Sequence, residues 1–146
     1  MPVTPEQKRL VKTSWASVLP TAERAAARFY TRLFQIHPEV RPYFRGDMRA
    51  QGQKLIAMLD TVISGLDTLD QLGATLRAMG RAHAGYGVRN ADYAKVADAL
   101  LWTLADGLGD AFTHDVEAAW SAAYAAVADS MIEGAGPAKV NDPDAT

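Results

Sequence analysis

The sequence predicts an all-α domain. Apolar residues recur at steps of three and four along most of the chain, which is the spacing of one face of a helix. No segment alternates apolar and polar residues over a convincing length, so strands are not expected. The chain has 146 residues, of which 49% are hydrophobic, and this is enough for one domain with a substantial core.

The first half of the chain carries clear helix signals. Thr4-Pro5-Glu6-Gln7 combines an N-cap, a proline at the first helical position and the glutamine of a capping box. His37-Pro38 interrupts the second apolar stripe, because proline disfavours helix in the residue before it. We expect helices over about residues 5–19, 21–36 and 50–64, a short helical turn over 38–43 and a loop over 44–47.

The second half predicts three more helices and a tail. Asn90-Ala91-Asp92 and Thr113 provide N-caps for the last two helices, and paired glycines end the fourth and fifth. The expected helices cover about residues 69–85, 92–108 and 114–134. Residues 135–146 have no periodic apolar face, so we expect a domain over 1–134 and a disordered tail.

Composition excludes several classes of function. The chain has no cysteine, which excludes disulfides, thiolate nucleophiles and cysteine-held metals. The net charge is −2 and the basic residues are scattered, so a nucleic-acid partner is not expected. No apolar run has the length of a membrane span and no signal peptide is evident, so we expect a cytoplasmic protein without a membrane partner.

His83 is the residue that points to a site. It continues the apolar stripe of the fourth helix, in which the other members are Leu69, Leu72, Leu76 and Met79. A buried neutral imidazole must find partners for its ring nitrogens or lose free energy. The partner can be a backbone carbonyl or a metal ion, and the residues alone leave both open.

Three runs of sequence resemble the globins. FYTRLFQIHPEVRPYF, MGRAHAGYGV and AAWSAAYAAVADSM resemble segments of neuroglobins and of the globin domains of flavohaemoglobins. The resemblance extends over about residues 4–134 and implies a globin fold, with six to seven helices around a haem. Because there is no cysteine to attach it, the implied cofactor is a non-covalent haem b.

The resemblance also implies roles for individual residues. His83 matches the proximal ligand, the histidine that binds haem iron from one side. Phe44 matches an aromatic residue that lies against the porphyrin, and Lys54 matches a residue that can meet a propionate. Leu55 and Val88 match apolar contacts. Ordinary core packing, or exposure for Lys54, is the alternative for each of these four.

Tyr30 and Gln51 match the distal pair, on the opposite side of the iron from the proximal ligand. Gln51 stands where the neuroglobins have a histidine, and Gln53 is a rival for the same position. The other two histidines, His37 and His114, are expected at a turn and at a helix start rather than at the iron.

Tyr93 matches a flavohaemoglobin tyrosine that bonds to a glutamate and helps to polarise the proximal imidazole. The matching glutamate position falls on Ala135, and the nearest acidic residue is Glu133. The resemblance therefore supplies His83 and Tyr93 but not the glutamate of this group of three, which weakens the expectation of strong oxygen activation.

Three functions follow as hypotheses. The first is a haem protein that binds oxygen, nitric oxide and carbon monoxide. The second is a nitric oxide dioxygenase or a peroxidase-like enzyme, which would need a separate reductase because the chain has no G-x-G-x-x-G or βαβ pattern. The third is a globin-like signalling module without haem, against which His83, Phe44 and Tyr30 argue.

Overall fold

The computed structural model describes residues 3–85 and 87–136, and all regular structure in this part of the chain is helical. The prediction of an all-α domain is therefore confirmed. Six α-helices occur in the described residues: α1 Pro5–Val18, α2 Ala22–Ile36, α3 Met48–Ser64, α4 Leu69–Gly85, α5 Asp92–Leu108 and α6 His114–Ala135. Short 3-10 helices cover Leu19–Thr21, Pro38–Tyr43, Leu66–Thr68 and Gly109–Ala111. No helix in the described ranges is both long enough and apolar enough to cross a membrane.

Local sequence explains most helix starts. The Thr4 side chain accepts from the Gln7 N–H while the Gln7 side chain accepts from the Thr4 N–H, which completes the expected capping box. Thr113 caps α6 as expected. Helix α3 begins at Met48, two residues earlier than predicted, because the Asp47 carboxylate accepts from the Arg49 N–H at 2.9 Å.

The start of α5 differs from the prediction. Ala91 occupies the N-cap position, and no side chain caps the helix. The carboxylate of Asp92, the first helical residue, instead accepts from the backbone N–H of Arg89 at 2.9 Å. Asp92 is thus turned back toward the loop that precedes its helix.

The end of α6 lies just beyond the predicted domain boundary. The helix continues through Ala135, and Gly136 follows with a φ of +78°. Residues 137–146, most of the predicted tail, lie outside the described residues. The side chain of Leu69, a member of the predicted apolar stripe, also lies outside the described part of the chain.

Buried tryptophans hold α1 against its neighbours. Trp15 and Trp120 meet edge to face, with ring centroids 6.3 Å apart. The Trp120 indole N–H donates to the Ser14 hydroxyl at 2.8 Å, and the Trp15 indole N–H donates to Asp60 at 3.0 Å. A buried indole N–H needs such a partner, so these bonds fix how α1 lies on α6 and α3.

Helix α4 lies directly on α6. A Cβ added to Gly80 would be 1.8 Å from the Met131 carbonyl oxygen, and one added to Gly134 would be 2.0 Å from the Arg77 carbonyl oxygen. Only glycine permits this approach, because any side chain at either position would overlap the facing backbone. The position of the helix that carries His83 is therefore set by backbone contact.

Helices α3 and α4 make few contacts with each other. Val62 of α3 and Leu76 of α4 belong to one small hydrophobic cluster. Gln51 lies at the end of α3 away from the α3–α4 connection, and His83 lies at the corresponding end of α4. We call the space between these two ends the cleft of the candidate site, with α2 and α3 as one wall and α4 and the loop after it as the other.

Candidate functional site

His83 is half-buried in the last turn of α4. Its Nδ1 lies 2.7 Å from the Met79 carbonyl oxygen, one turn earlier. Because a carbonyl oxygen can only accept, Nδ1 carries the proton, and Nε2 keeps its lone pair. The carbonyl bond considered at the sequence level is therefore present, and it leaves the other ring nitrogen able to bind a metal.

Apolar side chains share the α4 face that carries His83. Leu72, Leu76 and Met79 of α4 belong to a hydrophobic cluster that also contains Met58, Val62, Tyr93, Val127 and Met131. Within the described ranges, no three histidine, aspartate or glutamate side chains come together as a metal site would require. A single histidine can hold haem iron, and a half-buried histidine that follows apolar side chains on its helix fits this cofactor.

Tyr30 and Gln51 are brought together by α2 and α3. Tyr30 is 6% exposed, and Gln51 is half-buried in the first turn of α3. The Gln51 amide nitrogen donates to the Tyr30 hydroxyl oxygen at 3.4 Å. Because the phenol oxygen accepts this bond, its own hydrogen remains available to another acceptor.

The protonation state of Tyr30 follows from its environment. Burial raises the pKa of the phenol above its usual value, and the bond from Gln51 opposes this effect only in part. The hydroxyl is therefore neutral at physiological pH and acts as a hydrogen-bond donor.

Aromatic rings hold Tyr30 in place. The Phe44 ring meets it edge to face at 5.2 Å between centroids, and Phe29 does so at 4.9 Å. Phe44 is half-buried, and its carbonyl oxygen accepts from the Arg41 guanidinium at 2.6 Å. The aromatic residue that follows the Pro38–Tyr43 helix therefore stands beside the polar pair rather than in the centre of the core.

The residues around Gln51 on α3 have different environments. Gln53 and Lys54 are exposed, and Leu55 is half-buried against the main core. Gln53 lines a surface groove of about 550 Å³ between α2 and α3, to which Tyr30 also contributes. Of the two glutamines, Gln51 is thus the one that bonds to the Tyr30 hydroxyl.

On the other wall, Val88 and Tyr93 lie close to the His83 backbone or its apolar cluster. Val88 is half-buried, and its N–H donates to the His83 carbonyl oxygen at 3.1 Å. The carbonyl oxygen of Tyr93 accepts from the Tyr124 hydroxyl at 2.5 Å. Burial raises the pKa of both tyrosines.

The position that the resemblance pairs with Tyr93 is occupied by Ala135. Glu133 is exposed, and Ala135 is the last residue of α6. The Nδ1 partner of His83 is the neutral carbonyl of Met79 instead. The imidazole consequently lacks the anionic partner that would increase its electron donation.

Sequence reasoning missed a buried polar cluster at the edge of the cleft. Asp92 is 2% exposed and accepts from the Arg89 N–H at 2.9 Å and from the Lys95 ammonium at 3.0 Å. The Tyr43 hydroxyl faces the same carboxylate and helps to lower its pKa. We call Asp92, Tyr43, Arg89 and Lys95 the Asp92 cluster. Its pattern in the sequence indicated only a helix cap, because nothing local reveals that Tyr43 packs there.

The protonation of Asp92 is set by two opposing effects. Burial would raise the pKa of the carboxyl, but the hydrogen bonds from Arg89, Lys95 and Tyr43 outweigh it. The net pKa is below the usual value, so the carboxylate is ionised at neutral pH.

The fold and these two groups of residues define a helical domain with a histidine on one wall of a cleft and a tyrosine–glutamine pair on the other. Residues 27–131 match the Globin family, and the chain belongs to that family. The predicted globin fold is thereby confirmed.

The chain is similar to bacterial flavohemoproteins. It is 32% identical over 126 residues to the flavohemoprotein of Bacillus subtilis (strain 168), a match that covers 84% of this chain and 32% of that protein. It is also 32% identical over 133 residues to the flavohemoprotein of Bordetella pertussis (strain Tohama I), covering 89% of this chain and 33% of that one. The chain thus spans about a third of the length of these relatives.

The fold is similar to that of a hexacoordinated heme protein from an anhydrobiotic tardigrade, whose crystal structure at pH 4 superposes with a TM-score of 0.82. The superposition covers 92% of this chain and 96% of that one, at 21% identity. At this identity the likeness concerns the fold alone.

Proposed function

We propose that this globin binds a non-covalent haem b through Nε2 of His83. The observation that carries the proposal is the 2.7 Å bond from Nδ1 to the Met79 carbonyl, which fixes the tautomer and leaves Nε2 as a free base beside an apolar cluster. The names of the flavohemoprotein relatives and of the tardigrade structure support the same cofactor.

Other residues of the cleft would hold the porphyrin. Phe44, Leu55 and Val88 are half-buried apolar side chains on its two walls, and burial of their surface on a planar apolar group would favour binding. Lys54 is exposed on α3, where its ammonium can meet a propionate. Tyr93 belongs to the apolar cluster that supports His83.

We infer that the protein takes up small gaseous ligands. The haem supplies an iron that binds dioxygen, nitric oxide or carbon monoxide. The Tyr30 hydroxyl and the Gln51 amide supply hydrogen-bond donors, each worth about 1–3 kcal/mol toward a ligand that carries partial negative charge. His37 is engaged with Glu39 and Asp98, and His114 is exposed at the start of α6, so Tyr30 and Gln51 are left to face the ligand.

The alternative is a nitric oxide dioxygenase, or a peroxidase-like enzyme, that draws electrons from a separate reductase. The likeness to flavohemoproteins favours it. The neutral Met79 partner of His83 and the exposure of Glu133 favour simple ligand binding instead. Consumption of nitric oxide by the haem-loaded protein, measured with and without an added flavin reductase, separates the two.

The test of haem binding is His83→Ala, with His114→Ala as the matched control. We expect His83→Ala to lose most of its haem, measured as haem per protein after gel filtration, because the only proposed iron ligand is gone. Free imidazole should restore the spectrum of the wild-type protein, and His114→Ala should retain its haem. A His83→Ala protein with full haem content and an unchanged absorption spectrum would refute the assignment.

A further inference from the structure

The Asp92 cluster joins the two walls of the cleft. Tyr43 ends the Pro38–Tyr43 helix on the wall that carries Tyr30, whereas Arg89 belongs to the loop that follows His83. Asp92 accepts from the Arg89 N–H at 2.9 Å, and the Tyr43 hydroxyl faces the same carboxylate, whose pKa it lowers. One buried carboxylate therefore connects two segments that are distant in the sequence.

Tyr43 and Arg89 are the immediate chain neighbours of Phe44 and Val88, the candidate haem contacts of the two walls. Tyr43 also packs against the loop directly, since a Cβ on Gly87 would lie 3.8 Å from its ring. Gly87 has a φ of +94°, a conformation that glycine adopts at little cost and that turns the chain back toward Tyr43. The position of each haem contact is thus coupled to Asp92 through a single peptide link.

The cluster is held firmly. An ionised carboxylate at 2% exposure would be costly without partners, but here it receives a backbone N–H, an ammonium group and a phenol. Lys95 of α5 further contacts Glu39 at 3.5 Å, and Asp98 of α5 contacts His37 at 3.5 Å. These contacts tie the start of the Pro38–Tyr43 helix to α5 as well.

We propose that Asp92 is a positioning residue that retains the haem. By holding Tyr43 and Arg89, it keeps Phe44 and Val88 at their separation and closes this edge of the cleft against release of the cofactor. The proposal rests on the proposed haem binding, and it assigns to Asp92 no contact with the haem itself.

The test measures transfer of haem to an excess of a haem-free acceptor protein. We expect Asp92→Asn to release haem at least about tenfold faster, since tenfold corresponds to about 1.4 kcal/mol and hydrogen bonds to charged groups are worth at least this much. Tyr43→Phe keeps the ring against Gly87 and removes only the hydroxyl, so it should accelerate release by a smaller factor. In the Asp92→Asn background, Tyr43→Phe should add little, because its acceptor is already changed.

Val116→Ala is the control for general loss of stability. Val116 is 7% exposed in the first turn of α6 and is not a member of the Asp92 cluster. Its truncation should therefore destabilise the fold without accelerating haem release as strongly. The proposal is refuted if the Asp92 and Tyr43 variants release haem at the wild-type rate. It is also refuted if Val116→Ala accelerates release as strongly, or if the two cluster variants are fully additive.

A second measurement does not depend on haem. In the apoprotein, the Arg89 amide should be protected from hydrogen exchange, and Asp92→Asn should expose it far more than Val116→Ala does. A wild type that never binds haem would refute the proposed function. Rapid exchange of the Arg89 amide in the wild type would refute the proposal that Asp92 holds the Arg89 backbone in place. The two failures are therefore distinguishable.

Discussion

The two walls of the cleft are built in different ways. On the His83 side, α4 contacts α6 backbone to backbone at Gly80 and Gly134. On the Tyr30 side, α2 and α3 approach at Ala26 and Gly52, where an added Cβ would lie at 3.3 Å from its neighbour, and one hydrogen bond of 3.4 Å joins Tyr30 to Gln51. The first wall therefore tolerates no added atom, whereas the second has adjustable polar groups.

This difference indicates that the two walls have different roles. A helix that carries a metal ligand must be placed accurately, and close packing provides that because interiors respond to the volume of a single methylene. The Tyr30–Gln51 pair, which is proposed to face a bound ligand, must instead present hydrogen-bond donors. Substituting either residue should change ligand binding more than the stability of the fold.

Gly80→Ala should destabilise the fold by about 3 kcal/mol or more, because the new methyl group would overlap the Met131 carbonyl and force α4 away from α6. Urea unfolding followed by circular dichroism measures the effect. Gly107→Ala is the matched control, since Gly107 lies within α5 with open space around its Cα. It should stabilise the fold by about 0.5–1 kcal/mol. Equal stabilities of the two variants would mean that the α4–α6 contact is looser than described.

Tyr30→Phe should leave stability nearly unchanged and should accelerate dioxygen release from the haem-loaded protein by about tenfold to a hundredfold. Its hydroxyl is a neutral donor in a buried position, and dioxygen gains negative charge on binding whereas carbon monoxide hardly does. Carbon monoxide release should therefore change little. Stopped-flow displacement measures both rates. Equal acceleration for both gases would indicate steric gating by Tyr30 rather than hydrogen bonding.

Gln51→Ala should accelerate dioxygen release less than Tyr30→Phe does, by about threefold to tenfold. Gln51 donates to the phenol oxygen and so orients the Tyr30 hydroxyl, which itself survives the substitution. Gln53→Ala removes an exposed side chain two residues later and should have no effect. If the Gln53 variant instead shows the larger change in the same stopped-flow experiment, Gln53 is the distal glutamine.

Local patterns predicted much of this protein because they report local physics. Thr4 and Thr113 start helices through bonds to residues three positions away, and the apolar spacing of α2 and α4 placed Tyr30 and His83 on inward faces. The resemblance to globins added that these two residues belong to one site. The predicted α5 cap was wrong, because the Asp92 carboxylate accepts from the Arg89 N–H of the preceding loop and does not cap its own helix.

The sequence by itself determined that the chain is helical, where most helices begin and end, and which residues are candidates for a haem site. The tertiary structure alone decided that Gln51 rather than Gln53 bonds to Tyr30 and that Asp92 lies buried between two walls. These outcomes depend on how separate helices cross. The crossing of α4 and α6 is set by the fit of Gly80 against Met131 and of Gly134 against Arg77, contacts between residues 51 and 57 positions apart that no local pattern contains.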